Sequence, residues 1–351
     1  MEEHSDRIAL VELMLRPAFC VKNYTMIHVN RAAESLLLTA GMDVRELLLT
    51  GKEEYAAFSG GCLYLTLQLS GTQMGASVVR VEDMDIFLLD DEEDAQLKIL
   101  GLAAQQLRDA LSNIMIAANH LSPAALSDAE NTARLNRGLH QMLRLVSNMS
   151  DAGRANLSHG LELRSLADVF SEIMEKAQSL TEKAGVSISY EGLPEEVFSM
   201  ADADLLERAV FNILSNAVKY TPPGGTIRAS LSRAGRILRF SVEDSGPGIS
   251  EAIIGSVFSR YRRSAGIEDG RFGLGLGMVI VRSAAAAHGG TVLIDQPQGS
   301  GARVTLTIAI RPSNGTVLRS GILRPDYMGG WDHGLVELSD CLPLEVYEKS
   351  N

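Results

Sequence analysis

The sequence has little with which to brace itself covalently or to hold polyanions. Only three cysteines occur in 351 residues, Cys20, Cys62 and Cys341. They lie far apart and form no Cys-x-x-Cys pair, which excludes a disulfide framework and a zinc knuckle. Basic residues are in deficit: 32 Lys and Arg stand against 44 Asp and Glu, for a net charge of −12. That balance excludes nucleic acid or anionic lipid as a non-specific partner, and the cluster Arg260, Arg262 and Arg263 is too small to reverse it. Long apolar runs are missing as well. The longest uncharged stretch, Tyr55 to Val79, is full of Gly, Ser, Thr and Gln, so it falls short of the roughly 20 apolar residues of a membrane span. The first twenty residues carry Glu2, Glu3, Asp6 and Glu12, the wrong charges for a secretory leader. The expectation is a cytoplasmic protein with no direct membrane insertion and no nucleic acid partner.

What is present is ordinary globular material, 46% hydrophobic and 22% charged, in a length that suits two or three domains. The pattern predicts a multidomain α+β chain. In residues 1–93, Ala18–Lys22 and Met26–Asn30 read as strands, and Asn30 caps a helix running toward Leu38. Cys62–Leu69 alternates, and Ala76–Val81 and Ile86–Leu89 complete an antiparallel sheet. This order resembles a PAS sensor domain, above all where the strand pair runs into Val29-Asn30-Arg31-Ala32-Ala33.

Residues 94–158 predict an antiparallel helical hairpin. Leu97, Leu100, Ala104, Leu107, Leu111, Ile114, Ala118 and Leu121 are spaced alternately three and four apart, a heptad seam. A turn follows, then a second seam at Leu135, Leu139, Met142, Val146 and Met149. Each hairpin leaves its seam half covered, so two are expected to pair as a homodimer through a four-helix bundle, the alternative being a hairpin packed on the other domains of its own chain. Residues 159–312 alternate helices and strands, which predicts a layer of helices on one face of a mostly antiparallel sheet. Residues 313–351 form a tail broken by glycines. It holds the only tryptophan, Trp331, and a short helix is predicted from Asp332.

Three motifs in 212–277 carry chemistry. Asn212 and Asn216 are four apart on a helix and share a face, and amide oxygens suit a hard cation such as Mg²⁺. Asp244-Ser-Gly246-Pro-Gly248 ends a strand with a carboxylate able to accept from an adenine amino group. Gly273-Leu-Gly275-Leu-Gly277 opens a helix, where backbone N–H groups and the helix dipole face phosphate.

In this order the motifs resemble the ATP-binding domain of sensor histidine kinases, an α/β sandwich of the kind also found in gyrase and Hsp90. Asn212–Thr221 is similar to that family's asparagine box, Asp244–Gly248 and Gly273–Gly277 to its glycine boxes, and Val257-Phe258-Ser-Arg-Tyr-Arg to its phenylalanine box. The resemblance implies ATP and Mg²⁺ as cofactors. It implies that Asn216, with Asn212, holds the metal and that Asp244 holds adenine. Lys219 would contact phosphate and Tyr220 would line the nucleotide. Gly246, Gly248, Phe258, Gly273, Gly275 and Gly277 complete the implied site, and Ser264–Arg271 the lid. The family's hydrolysing members carry glutamate at the Asn212 position. An amide cannot act as that general base, so ATP is expected to be held rather than quickly hydrolysed.

The hairpin resembles the phosphoacceptor hairpin of the same kinases, well in Gln141–Arg154 and poorly where the chemistry lies. Ala104-Gln-Gln-Leu-Arg-Asp-Ala-Leu111 stands where those kinases have Ser-His-Glu-Leu-Arg-Thr-Pro-Leu. Gln105 replaces the acceptor histidine and Gln106 the adjacent glutamate; a glutamine amide is not a nucleophile. His120 and His140 read as solvent-facing bundle residues. Three functions stay open. One is an ATP-binding signalling protein that acts on a response regulator or other partner without self-phosphorylation at the usual site. The second is an active kinase using another residue, in this chain or a partner. The third is an interaction scaffold.

Overall fold

The computed structural model describes residues 8–90, 107, 114, 129–152, 160–249, 276–297, 301–312 and 332–348. Strands β1 (Ala18–Lys22) and β2 (Thr25–Val29) form a hairpin whose connecting residues, Asn23 and Tyr24, both have positive φ, 49° and 65°. That two-residue turn matches the twist of the strands it joins. The fully buried Asn30 side chain ties this region together. Its Oδ1 accepts from Ala33 N–H at 2.9 Å and from Ala18 N–H at 3.0 Å, and its Nδ2 donates to Arg16 O at 2.9 Å. The helix it caps, α1 (Arg31–Glu34), is shorter than the periodicity predicts. Leu37 takes φ 64° and stays 74% exposed, and the turn delivers Leu38 into the core at 2%.

After α2 (Lys52–Ala56) come β3 (Cys62–Leu69), β4 (Thr72–Val81) and β5 (Met84–Leu89). The five strands form an antiparallel sheet in the order β2-β1-β5-β4-β3. Alternation in β3 predicts one wet face, but seven of its eight residues are buried. Leu63, Leu65 and Leu67 enter the core of the first sheet, and Cys62 and Tyr64 enter that of the second. The cause is a second neighbour for β3, the strand β11 (Val292–Asp295), with Leu63 opposite Leu293, together with Arg282, which lies 5.1 Å over the Tyr64 ring.

Through that pairing the sheet runs on as β11, β12 (Arg303–Ala309), β10 (Ile237–Asp244), β9 (Thr226–Ala234) and β7 (Ser187–Glu191), with only β7–β9 parallel. A separate ladder joins β6 (Glu162–Ser165) to β8 (Phe198–Ala201). Ile227, Ala229, Leu231, Leu238, Phe240 and Val242 are buried and alternate with polar residues, so this half of the sheet has one covered face. The cover consists of α4 (Leu166–Thr181), α5 (Ala203–Tyr220) and α6 (Gly277–Ala287). Phe170 of α4 meets Phe240 with ring centroids 4.8 Å apart. The opposite face, with Arg228, Arg239 and Arg303, lines an open groove of about 710 Å³. The expected helix layer on a mostly antiparallel sheet is therefore present.

The buried turn after α6 depends on a neutral imidazole. His288 is 1% exposed. Its Nε2 accepts from Asp202 N–H at 3.0 Å, which leaves the proton on Nδ1, donated to Ala284 O at 2.7 Å. Burial holds its pKa below the ordinary 6.5. The unfolded chain therefore binds a proton first as pH falls, and the stabilisation present above 6.5 is lost on acidification through the folded-state value. Melting temperature measured from pH 8 to pH 5 should fall for the native chain, and fall less steeply for His288→Gln.

Helix α3 (Ala129–Ala152) is the described part of the expected hairpin, and of its first helix only Leu107 and Ile114 are described, both helical. The buried residues of α3 include Ala133, His140, Arg144 and Asn148, so a partly polar stripe faces the rest of this chain. His140 is not solvent-facing as expected: it is 5% exposed, its ring is 5.1 Å from that of Tyr347, and Nδ1 lies 2.7 Å from Asn136 O. The tail provides the cover. Asp332 caps α7 (His333–Glu337) by accepting from Leu335 N–H at 3.0 Å, and Leu338, Leu342 and Tyr347 pack into the main core.

Candidate functional site

The asparagine pair lies on α5, whose start is fixed by Asp202 accepting from Leu205 N–H at 3.0 Å. Their spacing puts both on one side, but their surroundings differ. Asn216 is half-buried and its amide makes no hydrogen bond among the described residues. Asn212 is 1% exposed and fully engaged. Its Nδ2 donates to Arg208 O at 2.8 Å and to Glu337 Oε2 at 3.4 Å, and its Oδ1 accepts from Arg144 Nη2 at 3.3 Å.

The other motifs close on the same helix. A Cβ on Gly277, the first residue of α6, would sit 2.7 Å from Asn212 Oδ1, so the N-terminus of α6 abuts the asparagine box. At the C-terminal end of α5, Tyr220 is 46% exposed, and its carbonyl would be 2.5 Å from a Cβ on Gly246. Asp244 ends β10. Its Oδ1 accepts from Gly246 N–H at 2.8 Å and Ala302 N–H at 3.3 Å, while Oδ2 makes no hydrogen bond among the described residues. Burial raises its carboxyl pKa, and the two N–H donors counter that rise. One end of the sheet thus gathers a fixed carboxylate, an unengaged amide, the Lys219 ammonium and a helix N-terminus. These groups suit a ligand with a hydrogen-bond donor at one end and negative charge at the other. Gly248 follows in the same turn with φ 79°. Phe258, Gly273, Gly275 and the segment Ser264–Arg271 lie outside the described residues, as do Gln105 and Gln106.

Sequence reasoning missed Arg144, Glu337 and Asp340. Arg144, on α3, donates from Nη1 to Asp340 Oδ2 at 2.6 Å and lies 3.4 Å from Glu337. Lys219 Nζ reaches Asp340 Oδ2 at 3.1 Å. Burial alone would raise the Asp340 carboxyl, but Lys219 and Arg144 hold it below its ordinary value. Burial likewise opposes the Arg144 charge, and Asp340 and Glu337 hold it in place. One signal lay in the sequence: Glu337 interrupts the run Leu335-Val336-Glu337-Leu338, and a charge inside an apolar run has a buried partner or none.

Residues 201–312 match the family described as histidine kinase-, DNA gyrase B- and HSP90-like ATPase. The chain is similar to sensor protein KdpD of Clostridium acetobutylicum, 29% identical over 214 residues that span 58% of this chain and 23% of that protein. It is also similar to adaptive-response sensory kinase SasA of Microcystis aeruginosa, 28% identical over 268 residues, 69% of this chain and 68% of SasA. Among solved structures, a mycobacterial sensor histidine kinase, MprB, matches at 26% identity and a TM-score of 0.37, over 44% of this chain and 99% of that one. The chain spans less than a quarter of KdpD and 12% of hybrid signal transduction histidine kinase D of Dictyostelium discoideum. No helix among the described residues is long and apolar enough to cross a membrane. The ATPase match falls on the strands and helices that carry the asparagine and aspartate motifs, and the chain is similar to sensor histidine kinases.

Proposed function

We propose that this chain binds MgATP at the α5–β10–α6 site and signals through its conformation to a partner, without phosphorylating itself at the usual position. The observation that carries the reading is the mismatch between the nucleotide groups that the described residues bring together, Asn216, Lys219, Asp244 and Gly277, and Gln105 at the acceptor position. The residues fit the ligand. Asp244 keeps Oδ2 for a base amino group, Asn216 offers an amide oxygen to Mg²⁺, Lys219 offers charge to phosphate, and Gly277 lets the α6 N-terminus approach. Bound ATP supplies a transferable γ-phosphoryl group. What this chain's residues do is hold and orient it, since Asn212 provides no base to activate water.

Around this site we read residues 8–90 as a PAS-like sensor, supported by the order of its five strands. We read the hairpin as a homodimer element, supported by its heptad seams, in a cytoplasmic protein. A response regulator or another signalling protein is the partner class, by analogy with the family. His140 offers no substitute acceptor, being 5% exposed with its ring already in contact with Tyr347.

Phosphate incorporation from γ-labelled ATP, with the labelled residue mapped, tests the reading. The expected result is no label in a sample that binds MgATP. Label on any side chain of this protein would replace the proposal with an active kinase using a relocated acceptor.

A further inference from the structure

The contact between residues 332–348 and α5 places carboxylates where the proposed site needs anions. Asp340 Oδ2 lies 3.1 Å from Lys219 Nζ and 2.6 Å from Arg144 Nη1, and Glu337 Oε2 lies 3.4 Å from Asn212 Nδ2. Glu337 is 1% exposed, so it is a buried counter-charge and not a surface pair. Buried Arg144 and Lys219 need negative charge beside them, and removing it without replacement is strongly unfavourable. The seat also grips the main chain of the segment. Arg137 Nε donates to Ser339 O at 3.1 Å, and Asn136 Nδ2 donates to Tyr347 O at 3.0 Å. Apolar burial of Val336, Leu338 and Leu342 completes the hold.

A triphosphate is the other anion these residues would receive. We propose that residues 332–348 are a tethered anionic competitor, in which Asp340 occupies the Lys219 ammonium and Glu337 sits against the Asn212 amide, where the phosphates of a nucleotide would lie. Segment docking and MgATP binding then exclude one another. This rests on reading α5 as the phosphate- and metal-binding helix. The exclusion is reciprocal: whatever docking removes from nucleotide affinity, bound nucleotide removes from docking. It is also selective for charge. Adenosine, which has no phosphate to replace the two carboxylates, should leave the segment seated.

The test uses the full chain, titrated with MgATP by calorimetry, with amide hydrogen exchange followed over 332–348. Glu337→Gln with Asp340→Asn should tighten MgATP binding by about tenfold, because the native site is open only in the undocked fraction of molecules. Saturating MgATP should speed exchange in the native segment, and adenosine should not. Leu342, 1% exposed and apolar, gives a second variant that leaves no buried charge unpaired. Leu342→Ala should shift affinity in the same direction even if the charge variant folds poorly. Equal affinities across the three proteins, with exchange unchanged by MgATP, would overturn the competition and leave the nucleotide site standing. Failure of all three to bind MgATP would overturn the reading of α5, and the competition with it.

Discussion

Asp244→Asn is expected to weaken nucleotide binding roughly 100-fold while leaving its loop in place. The two oxygens of Asp244 have separate tasks. Oδ1 is fixed by the N–H groups of Gly246 and Ala302, at 2.8 Å and 3.3 Å. In the proposed site Oδ2 is left for the base. Asparagine can keep the first task, since its amide oxygen accepts from the same two N–H groups. It reverses the second, because its NH₂ then faces the adenine amino group, donor against donor. Losing a charge-assisted bond and gaining an unmatched donor costs about 3 kcal/mol. Asp244→Ala loses both tasks, so Gly246 and Ala302 amides should also exchange faster in that variant alone. Titration with a fluorescent ATP analogue, read beside amide exchange, separates the two. An unchanged affinity in Asp244→Asn would remove this residue from base recognition.

Gly61→Val should be the most damaging single change at the junction of the two sheets, by about 3 kcal/mol or more. Gly61 has φ 88°, and a Cβ there would stand 2.2 Å from Ile294 O and 3.1 Å from Asp295 Cα. A side chain therefore meets left-handed strain and a collision with the backbone of β11. Gly41 supplies the control, with φ 94° and nothing within 4 Å of its Cβ position. Gly41→Val should show the strain alone, at about 1–2 kcal/mol. The expected readout is a lower melting temperature for Gly61→Val and faster amide exchange in β3 and β11, with the ladder from β9 to β12 still protected. Equal costs for the two variants would mean that β11 moves aside easily and that the junction is not close-packed.

What could be read in the sequence was what is written in one contiguous stretch. The asparagine box is a single helix and Asp244–Gly248 a single turn, so residue types and spacing sufficed to find them. Asn30 was legible as a cap for the same reason. Features made by distant segments were not. The alternation of β3 predicts a wet face only if nothing covers it, and its cover comes from β11 and α6. Arg282 of α6 lies 5.1 Å over the Tyr64 ring and pairs with Asp90 at 2.7 Å, contacts that no local pattern announces. The heptad seam of α3 was visible, but the stripe of Ala133, His140 and Arg144 facing the tail was not, because its partners lie some two hundred residues further on. The short α1 shows the opposite failure: apolar periodicity continued past Glu34, and the need to bury Leu38 ended the helix.

The pairing of β3 with β11 also bears on how the chain comes off the ribosome. Cys62 and its partner Ile294 are separated by about 230 residues, so at about 5–20 residues per second the first waits roughly ten to fifty seconds for the second. Throughout that interval β3 is a bare edge, with Leu63, Leu65 and Leu67 on one face, Cys62 and Tyr64 on the other, and backbone donors and acceptors unmatched on one side. Such an edge is open to strands of neighbouring nascent chains. The N-terminal sheet therefore has to stand by itself during synthesis, and β11 arrives as the last strand that can shield it from intermolecular pairing.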